Sequence, residues 1–243
     1  MRAFRREGEH LVAEVDPGER EVLATVVADV AELLGGGRFE DRVRETGSAR
    51  PRPDAQGGPD EGALAVRLRL DPLPAPDDPA VHRLLPDASR DDADVAAEFR
   101  RLTEDDLRQQ KIDRLAVLFD ALTVEALGHP TTEAPAADAD RPRRRRDRGR
   151  HEAVAVVRVT TDRAPALAAT LTDIRLVLGE RLGVTDEEAS ERLEHEVVHG
   201  RPADAEAQGR QYLGSVFLAL GWWQETLMAC LLADLPGADG ERD

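Results

Sequence analysis

A chain of 243 residues, 41% of them hydrophobic and 34% charged, holds enough apolar material for one sizeable core or two small ones. Aromatic residues make up only 3%, so aliphatic packing must supply most of that core. The formal net charge of −16 argues against direct, non-specific grip on DNA or RNA, because an acidic surface repels phosphate, and the lone Cys230 excludes an internal disulfide.

The first ten residues, MRAFRREGEH, contain no apolar run of the kind a secretory signal needs, so a cytoplasmic protein is expected. His10 to Val15 reads as a short strand. Asp16-Pro17-Gly18-Glu19 then combines an N-cap, a first-turn proline and an acid three positions after the cap. The helix that follows carries an apolar face of Val22, Leu23, Val26, Val27, Val30, Leu33 and Leu34, and Gly35 to Gly37 end it. Residues 46–62 are rich in proline and glycine and read as a disordered linker. The alternation at 63–70 slightly favours a strand over a helix.

Asp78-Pro79 starts a short helix over Val81, Leu84 and Leu85, closed by Pro86. A helix from about Asp92 to Arg101 leads into a second helical stretch, and the pair Thr103 and Asp106 predicts a kink or a fresh start between them. In that second stretch Leu107, Leu115, Leu118 and Leu122 recur at helical spacing, and Lys111, the one lysine of the chain, falls on the same stripe. An ammonium there needs a carboxylate or carbonyl partner, because burying it unpaired is costly.

Residues 129–150 read as another linker, arginine-rich from Arg141 to Arg150, and 236–243 as a disordered tail. The arginine run lacks interleaved aromatics and reads as a solvated spacer as readily as a nucleic-acid contact. Ala153 to Thr160 is β-branched and alternating; it is the clearest strand and is expected to pair with His10–Val15. Asp162 is expected to cap a helix over Leu167, Leu171, Ile174, Leu178 and Leu182, stopped by Gly183. Thr185 with Glu188 suggests a capping box opening an acidic helix to about His199.

The last helix is expected over roughly Ala205 to Leu235, with Tyr212, Val216, Phe217, Leu220, Trp223, Leu227 and Leu231 inward. Its run at 212–233 is apolar enough to raise a membrane span. Gln224, Glu225 and two glycines favour a core helix instead, and no membrane partner is expected. Adjacent Trp222 and Trp223 cannot share one face, so one of them, Trp222, must turn to another element or a partner. These elements predict a mainly α fold: a single helical domain over 1–243 with a small two- or three-stranded β element and two linkers.

Three constellations bear on function. The polar residues Glu98, Arg100, Arg101, Arg108, Lys111, Asp173, Arg175, Gln224 and Glu225 lie on three helices, and read as a polar core that fixes helix register or lines an interaction groove. His195-Glu196-Val197-Val198-His199 is an H-E-x-x-H, which on a helix places two imidazoles on one face for zinc, with Glu196 as base. A third ligand would have to come from Asp204, Glu206 or Glu225, and the motif sits at the end of an acidic helix. A solvated helix end is the plainer reading, so no metal and no cofactor are expected. Phosphate-loop, dinucleotide, nucleophile-elbow and C-x-x-C motifs are absent from the sequence.

Four ordered blocks carry a family likeness: DPAVHRLLPDA at 78–88, EFRRLTEDDLRQQK at 98–111, LTDIRLVLGERLGVTDEE at 171–188 and LGWWQETLMACLL at 220–232. Together they resemble an actinobacterial domain-of-unknown-function family that includes transcriptional and oxidative-stress regulators (AosR-like). The resemblance implies a helical cytoplasmic protein without established catalytic residues. With Cys230 alone, oxidant sensing through an internal disulfide is excluded, leaving an intermolecular or mixed disulfide. The expectation is therefore a non-enzymatic regulatory or adaptor protein that binds a protein partner such as a transcription factor. The alternative is a zinc hydrolase using His195, Glu196 and His199, and a third reading is a small-molecule pocket between the lysine helix and the last helix.

Overall fold

The structure, a computed structural model, describes residues 1–37, 73–123 and 155–233. The expected linkers at 46–62 and 129–150, the strand at 63–70, the arginine run and the tail at 236–243 lie outside the described residues.

A hairpin opens the chain. β1 (Arg5–Glu7) turns through Gly8 into β2 (His10–Val15), and Gly8 sits at φ +63°, a value that favours glycine in a two-residue turn. β2 is the central strand. It pairs antiparallel with β1 on one side and with β3 (Ala155–Thr160) on the other, Ala13 lying opposite Val157. The pairing expected of the two longer strands is thus present. β1 escaped the sequence reading because its three residues are all exposed and carry no apolar alternation.

α1 (Pro17–Leu33) begins at the expected capping box, with the Asp16 N–H donating to Glu19 Oε2 at 3.1 Å. α2 (Pro79–Leu84) starts under Asp78, whose carboxylate accepts from the Ala80 N–H. The Arg181 guanidinium bonded to Asp78 holds that carboxyl below the usual aspartate range.

α3 (Ala93–Thr123) differs from expectation. It runs unbroken for 31 residues, with Asp92 accepting the Asp94 and Val95 N–H groups at its start. Thr103 opens no new helix: its hydroxyl donates back to the Phe99 carbonyl one turn earlier, so it stays inside the helix.

Two caps also shift. α4 (Ala164–Leu182) has Arg163 as its N-cap, one residue past Asp162, while the Asp162 carboxyl bonds Thr160 and is held low by that contact. Its C-terminal Gly183, at φ +70°, stops the helix where expected. α5 (Glu187–His199) is capped by Asp186, which accepts from the Ala189 N–H at 2.8 Å; the Thr185–Glu188 box is not used, because a carboxylate nearer the first turn takes that bond. α6 (Ala205–Leu232) is capped in the same way by Asp204.

The helices pack around α4, which meets α2, α3 and α6, while α1 lies on α3 and α5 lies on α6. β3 contacts α3 and α4, and β1 contacts α6. The shared core is aliphatic, as the composition required, with Leu11, Leu34, Leu115, Leu122, Leu171, Ile174 and Leu220 fully buried. α6 is long and apolar enough to cross a membrane, with mean hydropathy 1.3 over its best window. In this fold its inner face, Val216, Phe217, Leu220, Trp223 and Leu227, belongs to the core.

Two expected inward residues face out. Leu107 is 41% exposed, because the neighbouring Arg108 and Glu104 take the inward polar positions at that end of α3. Tyr212 is exposed as well, since α5 approaches α6 along the line of buried Gly214, where a Cβ would come 2.8 Å from Val197 Cγ2. The adjacent tryptophans divide as a helix requires. Trp223 is fully buried, stacks on Phe4 at 4.8 Å and donates its indole N–H to the Arg2 carbonyl, whereas Trp222 is 45% exposed. Trp223→Ala should therefore lower unfolding free energy by about 3–5 kcal/mol in urea titration, and Trp222→Ala by less than about 1 kcal/mol.

Candidate functional site

α3 and α4 cross with their apolar stripes facing, and each stripe carries an ionisable residue at the crossing. On α3, Lys111 continues the line of Leu115, Leu118 and Leu122, and Arg114 follows three residues later on the same side. On α4, Asp173 stands between Leu171 and Ile174. Lys111 Nζ donates to Asp173 Oδ1 at 2.7 Å, and Arg114 Nη2 donates to Oδ2 at 3.2 Å. The Asp173 side chain is 7% exposed and that of Lys111 15%. One buried carboxylate thus satisfies two cations, and the cluster retains one net positive charge at the edge of a −16 chain. Arg114 Nε is buried and has no hydrogen-bond partner among the described residues.

A second cluster sits one to three turns earlier on α3. Buried Glu104 accepts from Arg108 Nη2 at 2.5 Å and lies 3.7 Å from Arg100 Nε. Arg108 also donates to the Leu34 carbonyl at the C-terminus of α1, where a cation complements the helix dipole. Buried Arg100 pairs with Asp87 and donates to the Leu73 carbonyl. This cluster ties α1, α3 and the segment after α2 together.

A third contact joins α4 to α6. Arg175 Nη1 donates to Gln224 Oε1 at 2.8 Å, and Gln224 Nε2 donates to Thr172 Oγ1 at 2.7 Å. The guanidinium lies 5.3 Å from the Phe217 ring centroid and passes Gly221, where a Cβ would sit only 3.4 Å from it. Asp173 and Arg175 are two residues apart, so they leave α4 on opposite sides, one towards α3 and the other towards α6.

Residues 1–231 match the family model named Domain of unknown function (DUF2017). The chain belongs to this family. No curated protein and no solved structure matches it.

In this DUF2017 chain the polar residues expected to act together therefore fall into separate groups. Lys111 and Asp173 meet; Arg108 joins Glu104; Arg175 joins Gln224. Arg101 pairs with Glu98 on the outer side of α3, and Glu225 is on the exposed face of α6, away from Lys111. Arg114, Glu104, Asp87 and Thr172 escaped the sequence reading. Arg114 and Glu104 had usable signals, the spacing of Arg114 from Lys111 and the i±4 spacing of Glu104 from Arg100 and Arg108, but the partners of Asp87 and Thr172 come from distant segments.

His195 and His199 share a face of α5 with ring centroids 4.9 Å apart, and both are exposed. The proposed third ligands lie elsewhere: Asp204 is occupied as the α6 cap, while Glu206 and Glu225 are exposed on α6. Glu196 faces Arg210 at 3.3 Å. Among the described residues no three metal-ligating side chains converge. Among the described residues a hollow opens between α3, β3 and α4.

The triad generates a stability prediction. Asp173→Ala leaves two cations at a buried crossing and should cost about 3 kcal/mol, at the lower end for a broken buried pair because Lys111 and Arg114 keep some solvent. Lys111→Met leaves the carboxylate bonded to Arg114 and should cost roughly 1–2 kcal/mol. Chemical denaturation of both variants checks the order.

Proposed function

We propose that this DUF2017 protein is a regulatory or adaptor protein that acts by binding another protein through the outer face of α6. The supporting observation is the character of that face. From Gln211 to Leu232 the sequence has one charged residue, Glu225, yet Tyr212, Trp222, Met228 and Leu232 are exposed. A helix that leaves Trp222, Met228 and Leu232 exposed within three turns has the composition of an interface core, with Trp222 as its anchor.

The occupant we favour is a different protein whose rim is basic. Each copy of this chain carries −16, so self-association brings like charge together, whereas a cationic partner is steered in. The same charge disfavours an anionic membrane surface. The process we propose is transcriptional or oxidative-stress regulation, as the resemblance to the actinobacterial AosR-like members implies, through a transcription factor and not through direct operator contact. Cys230 is half-buried beside this face, with its thiol donating to the Phe4 carbonyl at 3.4 Å. A mixed disulfide there would sit next to the bound partner.

A photo-crosslinking residue at position 222 is expected to trap one protein in the native cell, and the same residue at exposed position 191 on α5 is not. The trapped protein, purified, should bind the chain directly, and Trp222→Ser should weaken that binding at least about ten-fold without lowering the melting temperature. Cross-links only to a second copy or to lipid, or an affinity indifferent to Trp222→Ser, would refute the reading.

A further inference from the structure

The hollow between α3, β3 and α4 has a volume of about 400 Å³, within the roughly 300–1,000 Å³ of small-molecule sites. Its wall is apolar, built from Leu118, Val157 and Leu167 among others, and its polar lining is three arginines and Thr170. The Thr170 hydroxyl is already committed to the Ala166 carbonyl at 2.9 Å. Among the described residues no carboxylate lines the hollow, in a chain with 49 acidic and 33 basic side chains.

The arginines come from three elements: Arg114 from α3, Arg158 from β3 and Arg163 from the N-cap of α4. Their acidic neighbours lie outside the lining. Asp173 takes Arg114 Nη2, Glu7 stands 3.5 Å from Arg158, and Asp162 adjoins Arg163. Asp173 is shared with Lys111, so the four cations exceed these three acids by one charge. Arg114 keeps its buried Nε donor without a partner among the described residues, a costly state for a guanidinium beside an apolar wall. Pairing Arg114 with Asp173 also fixes its position before any ligand arrives.

We propose that this hollow binds a free anionic amphiphile of the fatty-acid class. The acyl chain lies against Leu118, Val157 and Leu167, and the carboxylate meets the guanidinium groups of Arg114, Arg158 and Arg163. A wholly apolar ligand leaves the Arg114 Nε donor and the excess positive charge unanswered, and a small inorganic anion leaves the apolar wall in water. A carboxylate at the head of an acyl chain satisfies both. This inference does not rest on the α6 interface, which lies on the far side of α4.

Calorimetric titration of the full chain with decanoate, kept below its micelle concentration, tests it, with decanol as the uncharged match. One decanoate per chain is expected, and decanol should bind roughly ten-fold more weakly. Ala121→Phe, which fills the hollow, should abolish binding. Arg163→Ala, an exposed change, should weaken it by about five- to ten-fold. Val117→Asp, at the exposed rim, should weaken it similarly and serves if Ala121→Phe fails to fold. No binding of either compound overturns the proposal, as does decanoate binding unaffected by both Arg163→Ala and Val117→Asp. Equal affinity for decanol overturns it too, because the anionic head would then contribute nothing. Co-flotation with anionic lipid vesicles in the absence of decanoate binding would identify a membrane surface in place of a free amphiphile, and would also overturn it.

Discussion

The Asp173 carboxylate is the point on which the arrangement of α3 against α4 turns. Aliphatic stripes on two helices can slide or rotate past one another at small cost, because leucine contacts are non-directional. A buried carboxylate held at 2.7 Å by Lys111 and at 3.2 Å by Arg114 cannot follow such a shift without losing both bonds. The register that this sets fixes where Arg175, on the opposite side of α4, meets Gln224, and so places α6. It also sets where Arg114 stands relative to β3. The core supplies the cohesion of the fold, and the triad selects one packing from many of similar apolar area.

The two candidate surfaces inherit their positions from that choice. α6 turns Trp223 inward onto Phe4 and leaves Trp222 outside, so the division between core and exposed face runs between adjacent residues. The hollow lined by Arg114, Arg158 and Arg163 lies on the other side of α4, where α3 and β3 diverge. An apolar surface and an arginine-lined hollow on a chain of net charge −16 are both departures from its average surface.

The H-E-x-x-H shows how much helical spacing alone arranges. Helical spacing was enough to bring His195 and His199 to one face, and they do share it. A zinc centre also needs a third ligand from another element and a shielded position, and here Asp204 serves as a helix cap while both imidazoles face solvent. The residues of the hollow present the opposite case. Nothing in the spacing of Arg114, Arg158 and Arg163 joins them, because they belong to three elements separated by long stretches of chain.

By itself the sequence determined the local elements: the mainly α class, the strands read at His10–Val15 and Ala153–Thr160 as partners, the Asp16 box, the Gly183 stop, and a polar partner for Lys111. These follow from backbone sterics, capping and apolar periodicity, which act within a few residues. It misplaced the caps at Asp162 and Thr185 and broke α3 at Thr103, because competing side-chain bonds of similar strength were decided by one local contact each. Only the tertiary structure decided that Asp173 receives both Lys111 and Arg114, that Glu98 and Glu225 stand apart from them, and that three arginines share one hollow. Those outcomes depend on the distance between segments remote in sequence, and a charge 62 residues away leaves no periodicity to read.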